Sequence, residues 1–139
     1  MKLLIINGPN LNLLGKREPH IYGNQDFESY LKTLQAMFPE VELSYYQSNH
    51  EGAIIDKLQQ SNQQYTGIIL NAASLTHTSV GLADAVAAID TPVIEVHISN
   101  PMAREEFRHV SYISAKAIGT ISGLGLYGYE AAVRYFMQR

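Results

Sequence analysis

Two residue pairs in this 139-residue chain have the types and spacing for acid–base chemistry. Arg17 and Tyr22 lie in the passage NGPNLNLLGKREPHIYG (7–23), and Glu95 and His97 lie in EVHISN (95–100). A free phenol ionises near pH 10, so only about one molecule in a thousand is a phenolate at pH 7. A cation within about 4–6 Å favours the ionised form, and the Arg17 guanidinium, which does not deprotonate in proteins, could supply it. Tyr22 is then either a general base or a packing residue that holds its loop shut. His97 is the candidate acid. Alternation along a strand puts Glu95 on the same side as His97, where its carboxylate either orients the imidazole or forms an internal ion pair. A third feature, REEFRH (104–109), sets Arg104 and Arg108 at i, i+4, expected on one helical face. One of them could clamp a carboxylate bidentately while the other pairs with Glu105 or Glu106.

The elements that must position these groups follow from hydrophobic periodicity. Apolar runs at Leu3–Ile6, Val41–Tyr46, Ile68–Leu70 and Val93–Val96, with a weaker one at Ala117–Ile121, predict strands. Most are continuous rather than alternating, as in parallel sheets covered on both faces. Between them, Phe27-Leu31-Leu34-Phe38, Ile54-Ile55-Leu58, Val80-Ala83-Ala87 and Ala131–Phe136 recur at helical spacing. Ser48-Asn49-His50-Glu51 has capping-box spacing ahead of Ile54. The order is βαβαβαβαβα, a doubly wound α/β domain with a five-stranded parallel sheet and right-handed crossovers, spanning residues 1–139 without linker or repeat. Each early strand runs into polar residues: Asn7, then Gln47 to His50, then Asn71, then His97. Open α/β sheets bind ligands outside the carboxyl ends of their strands, so the set marks a site. Asp84 sits inside an apolar helical segment and needs a partner, across a subunit contact.

Several chemistries are excluded. The chain has no cysteine, which removes disulfides, thiolate nucleophiles and Cys-ligated metals. Its net charge of −3 and lack of a Lys/Arg-rich run argue against nucleic acid. No apolar stretch approaches the roughly 20 residues of a membrane span, and the first residues lack a signal-peptide pattern, so a cytoplasmic location without membrane or nucleic-acid partners is expected. Gly8-Pro9 is a poor phosphate cradle because Pro9 has no N–H, and neither G-x-G-x-x-G nor a P-loop is present. The histidines (20, 50, 77, 97 and 109) include no H-E-x-x-H pair. No G-x-S-x-G elbow occurs, and the lysines lie in polar or terminal settings unsuited to Schiff-base chemistry. What is left is acid–base chemistry with no cofactor and no metal.

The runs NGPNLNLLGKREPHIYG, SNHEG (48–52), NAASLTHTSVGLADA (71–85), EVHISN and AREEFRHVSYIS (103–114) resemble, in order and spacing, those of type II 3-dehydroquinate dehydratases. GLGLYGYEAA (123–132) resembles the entry to that family's last helix. The resemblance implies a flavodoxin-like fold and the third step of the shikimate pathway. In that step 3-dehydroquinate loses water by anti elimination through an enolate to give 3-dehydroshikimate. It implies Tyr22 as base, His97 as acid, Arg17 as the charge beside the tyrosine, and Asn10 holding a water or the enolate oxygen. Asn71, His77, Asp84, Arg108 and the Ile98–Ser99 segment are implied to bind substrate, with Asp84 reaching a neighbouring subunit's site in a dodecamer, a tetramer of trimers. Residues 7–23 are expected to act as a lid, with Gly8, Gly15 and Gly23 as hinges. Ala73-Ser74 depart from the family, many of whose members carry Gly there.

Overall fold

In the computed structural model, which describes residues 1–16 and 18–139, the apolar runs form strands β1 (Lys2–Asn7), β2 (Glu42–Gln47), β3 (Gly67–Asn71), β4 (Val93–His97) and β5 (Gly119–Ser122). All pair in parallel in the order β2-β1-β3-β4-β5, the flavodoxin-like order. Helices α1 (Pro19–Tyr22), α2 (Phe27–Met37), α3 (Glu51–Ser61), α4 (Val80–Ala88) and α5 (Tyr127–Gln138) connect or follow them.

The continuous apolar strands are explained by two cores. Leu3, Ile5, Ile69, Ile94 and Val96 face α2 and α5, meeting Phe27, Leu34, Tyr129, Val133 and Phe136. Leu4, Ile6, Ile68, Leu70 and Val93 face the other way, onto Ile54 and Leu58 of α3 and Leu82 and Val86 of α4. Each such side chain, fully buried, contributes about 1.5–3 kcal/mol. Because both sides of β1, β3 and β4 are covered, these strands stay apolar until they leave the core, with Glu95 in β4 the exception. Register then brings the exits level: Asn7 lies opposite both Gln47 and Asn71, and His97 opposite Ser122.

Local signals are met in part. Asp26 caps α2 by accepting from the Ser29 N–H at 2.8 Å, and Ser79 caps α4 by accepting from Leu82 at 2.9 Å. The capping box at Ser48–Glu51 does not form. Ser48 Oγ accepts instead from His50 N at 3.0 Å, and the Glu51 carboxylate receives the Ser79 hydroxyl. Nor do Arg104 and Arg108 share a helical face: Pro101–Ala103 and Glu106–Arg108 are separate 3-10 turns, with Arg104 extended between them at φ −113°, ψ −163°. The fifth strand starts two residues later than its apolar run, since Lys116 and Ala117 N–H still bond back to the Ile113 carbonyl.

Gly15 and Gly23 take left-handed conformations, φ +92° and +86°, at either side of α1. Gly8 does not, and departs from the expected hinge. A Cβ there would lie 2.6 Å from the Ala72 carbonyl oxygen, so glycine lets the ends of β1 and β3 approach, an approach sealed by the 2.8 Å Gly8 N–H to Asn71 O bond.

Candidate active site

Outside the carboxyl ends of β1, β3 and β4 lies an open cleft enclosing about 550 Å³. Asn10, Tyr22, Asn71, Ser74, His77, His97, Ile98, Ser99, Arg104 and Arg108 all line it. Eight of the expected site residues therefore meet in one place. Arg17 lies outside the described residues. Glu95 is one layer deeper, and Asp84 is exposed on α4, away from this cleft. In the single chain the Asp84 carboxylate faces outward from α4. Leu82, Ala83, Ala85 and Val86 turn into the core while Gly81, Asp84, Ala87 and Ala88 form the outer face.

His97 is 8% exposed, and its Nε2 meets the Glu95 carboxylate, itself only 1% exposed. Two further donors reach that carboxylate: Ser111 Oγ at 2.9 Å and Ser114 Oγ at 2.6 Å. Burial pushes the Glu95 carboxyl up, but the hydrogen bonds from His97, Ser114 and Ser111 outweigh it and hold the group below the usual carboxylate value. Glu95 is consequently an anion whose acceptor sites point at His97, and Nε2 carries a proton. The imidazole's other nitrogen, Nδ1, is left for other chemistry. The contact lies within β4 and ties the imidazole to a buried carboxylate.

His77 stacks near His97, ring centres 6.3 Å apart, and its Nδ1 lies 2.8 Å from the Val110 carbonyl oxygen. A carbonyl only accepts, so Nδ1 carries the proton and Nε2 is an acceptor. Burial first, and then the His97 and Arg108 charges, hold the His77 imidazole below its ordinary value against the opposing Val110 bond. Asn71, 3% exposed, accepts from the Ala73 N–H at 3.1 Å through Oδ1. Ala73 enables this turn by taking a left-handed φ of +53°, doing with a methyl group what glycine would do more easily. Asn10 is likewise left-handed, φ +70°, and its N–H donates to Asn49 Oδ1 at 2.9 Å, so β2's exit residues hold the loop after β1 rather than line the cleft.

Tyr22 is half-buried, and a guanidinium does stand against it: Arg104, whose central carbon lies 5.4 Å from the ring centre. Arg104 also donates to Ser99 Oγ at 3.2 Å and approaches Glu18 and Glu105 at 4.0 and 3.8 Å. Arg108 is held bidentately by Glu105 at 3.1 and 3.4 Å. The surface pairing expected for one arginine is shared by both, while both guanidinia still reach the cleft. Arg104 beside Tyr22 joins two loops distant in sequence, so no local spacing announced it. Ser111 and Ser114 were equally hidden, although a carboxylate inside an apolar strand is itself a signal that donors must be found for it.

A parallel α/β sheet with an imidazole–carboxylate pair, a tyrosine and two arginines around a polar cleft at its carboxyl edge defines a metabolite-sized acid–base site. The family model described as Dehydroquinase class II matches residues 1–137. A 3-dehydroquinate dehydratase of Endomicrobium trichonymphae is 55% identical over 135 residues, covering 96% of this chain and 94% of that protein. A catabolic 3-dehydroquinase of Penicillium rubens is 52% identical, covering 96% and 87% respectively. The crystal structure of type II dehydroquinase from Butyrivibrio crossotus superposes with a TM-score of 0.95 at 45% identity, over 99% of this chain and 97% of that one. This chain belongs to the class II dehydroquinase family.

Proposed function

We propose that the chain is a single-domain hydro-lyase that converts 3-dehydroquinate to 3-dehydroshikimate, with Tyr22 as base and His97 as acid. The observation that carries this reading is the pairing of His97 with a buried, ionised Glu95 across one cleft from Tyr22. Tyr22 removes a proton from the carbon beside the substrate ketone, and the C–H electrons pass to the carbonyl oxygen as an enolate. When the C=O re-forms, those electrons make the new C=C bond and expel the hydroxyl at the next carbon. That hydroxyl takes a proton from His97, through the nitrogen that Glu95 does not hold, and leaves as water. Expelling hydroxide itself is slow near neutral pH, so a positioned acid lowers the barrier. Glu95 stabilises the imidazolium before transfer, with Ser111 and Ser114 keeping the carboxylate ionised.

Charge developing on the enolate oxygen is met by donors fixed in advance, a role for Asn10 or a water it holds. Arg108 suits the substrate carboxylate, while Asn71, His77 and the Ile98–Ser99 segment suit its hydroxyl groups. Arg17 is assigned the cationic role beside Tyr22 from its place in the motif, and Arg104 also brings a guanidinium to that ring. Asp84 contributes to substrate binding only from another subunit, so the reading includes a homo-oligomer, a dodecamer in the family pattern. Closure of residues 15–24 over the cleft excludes water and brings the base to its proton. No cofactor, metal or Schiff base takes part. The enzyme is assigned to the cytoplasm. Among the described residues no helix is long and apolar enough to cross a membrane.

Ultraviolet absorbance of the conjugated enone product tests the activity: no gain on adding 3-dehydroquinate overturns it. Tyr22→Phe is expected to lose nearly all turnover, on the order of 10²–10⁴-fold, with KM little changed. A lysine adduct trapped by borohydride would replace this mechanism with a Schiff-base one.

A further inference from the structure

Behind Asn71 lies a chain of buried amides and phenols that the reaction above does not use. Its direction is fixed by its first member. The Ala73 backbone N–H can only donate, and it donates to Asn71 Oδ1 at 3.1 Å. Asn71 therefore turns its Nδ2 the other way, to the Tyr129 hydroxyl oxygen at 2.9 Å. Tyr129, fully buried on α5, passes its own proton to Asn7 Oδ1 at 2.7 Å. Asn7 Nδ2 then faces the Tyr45 hydroxyl at 3.5 Å. Every polarity in the series follows from one backbone donor, because an amide oxygen accepts, an amide nitrogen donates, and a phenol can do each once.

We infer that Tyr129 is a positioning residue that locks the Asn71 amide so that it presents an N–H, not a carbonyl oxygen, to the ligand in the cleft. Two of Asn71's four hydrogen-bonding capacities are spent on Ala73 and Tyr129. One N–H remains on Nδ2, and Asn71 lines the cleft. Without the phenol the amide is tied at one atom only and can turn about its last torsion, which is broad for asparagine. Burial raises the Tyr129 phenol far above its ordinary value, so it stays an O–H throughout the working pH range and the lock does not titrate. The inference deepens the proposed function. Asn71 selects for an acceptor oxygen on the substrate, while His77 Nε2, an acceptor, selects for a hydroxyl donor close by. A donor and an acceptor set side by side distinguish a polyhydroxylated ring acid from an analogue with one oxygen removed, which would leave a buried partner unsatisfied.

Tyr129→Phe keeps the ring's packing and removes only the hydroxyl. For 3-dehydroquinate, KM should rise about two- to tenfold, the worth of one neutral hydrogen bond, with kcat changing less. In an Asn71→Ala background the same substitution should raise KM by less than about twofold, because there is no amide left to hold. Full additivity of the two substitutions, or a KM unchanged in Tyr129→Phe, overturns the inference. A purely structural tyrosine would lower the melting temperature in both backgrounds and leave the KM comparison flat. If Tyr129→Phe does not fold, the unsubstituted protein carries the test without any turnover. The two Asn71 side-chain amide protons in a ¹⁵N-labelled sample should be inequivalent, one protected from exchange by Tyr129. Equal, rapid exchange of both overturns the inference. Because this measurement needs no substrate, absence of dehydratase activity would count against the proposed function and leave the lock standing.

Discussion

Gly8→Ala tests the idea that the cleft is built by bringing two strand ends unusually close. The added Cβ would sit 2.6 Å from Ala72 O and 2.8 Å from Ala72 C, where ordinary contact starts at 3.4 Å, a shortfall of 0.8 Å against backbone. No rotamer change can relieve it, and the 2.8 Å Gly8 N–H to Asn71 O bond is the first thing to stretch. Overpacking of this kind costs about 1–3 kcal/mol. With an unfolding entropy of about 2.1 cal/mol/K per residue, a 139-residue chain loses about 3–10 °C in melting temperature for that cost. The same displacement moves Asn71 and His77 away from Asn10, and a misplacement near 1 Å lowers turnover on the order of 10²-fold. Thermal unfolding by circular dichroism and enone absorbance read the two effects separately. Gly23→Ala is the control. It meets nothing within 4 Å, but its φ of 86° and ψ of 177° belong to a region essentially reserved for glycine, so it should cost about 1–3 kcal/mol of backbone strain with no strand displacement. If Gly8→Ala melts within about 1 °C of the parent and keeps its kcat/KM, the close-approach argument is wrong.

Three smaller expectations concern stability. The Glu95 carboxyl is held below its ordinary 4.5, so its contribution is complete above that pH and is lost as pH falls beneath it. Glu95→Gln should therefore lower the melting temperature at pH 7, by a margin that narrows between about pH 5 and pH 3, and a pH-independent margin would refute the assignment. Thr76 Oγ1 is buried with no hydrogen-bond partner among the described residues, so Thr76→Val should leave the melting temperature unchanged or raise it; a clear loss would show that the hydroxyl has an acceptor. Ala73→Gly relieves about 1–2 kcal/mol of left-handed strain and adds about 0.4–1 kcal/mol of unfolded-chain entropy. A slightly higher melting temperature is expected, and a lower one would mean that the methyl group packs usefully.

The strands were legible because two helical layers must cover them and so leave apolar runs, the flavodoxin-like fold came through the resemblance, and the polar strand exits made Asn71 and His97 legible with them. Helix starts were less so. Ser48 had a nearer donor in His50, and Pro101 with an extended Arg104 broke the arginine segment into two turns. What spacing along the chain could not give were meetings between loops. Arg104 reaches Tyr22 across 82 positions of sequence, and Ser111 and Ser114 come back to Glu95 from 16 and 19 residues on. Asp84 sits among apolar neighbours in sequence, yet in the single chain it lies on the outer face of α4 with Gly81, Ala87 and Ala88.

The bond from Tyr129 to Asn7 spans 122 residues, which ties completion of the cleft to the timing of synthesis. At roughly 5–20 residues per second, about 6–24 s separate the two residues' emergence. During that interval β1 and β3 can pair, yet Asn71 Nδ2 and Asn7 Oδ1 lack the Tyr129 hydroxyl that lies between them in the folded chain, and burying an unpaired polar group costs about 1–3 kcal/mol. Helix α5 supplies both the apolar cover and the hydroxyl that sets the amides, so the element that covers the core on that side is also the one that orients the cleft's asparagine.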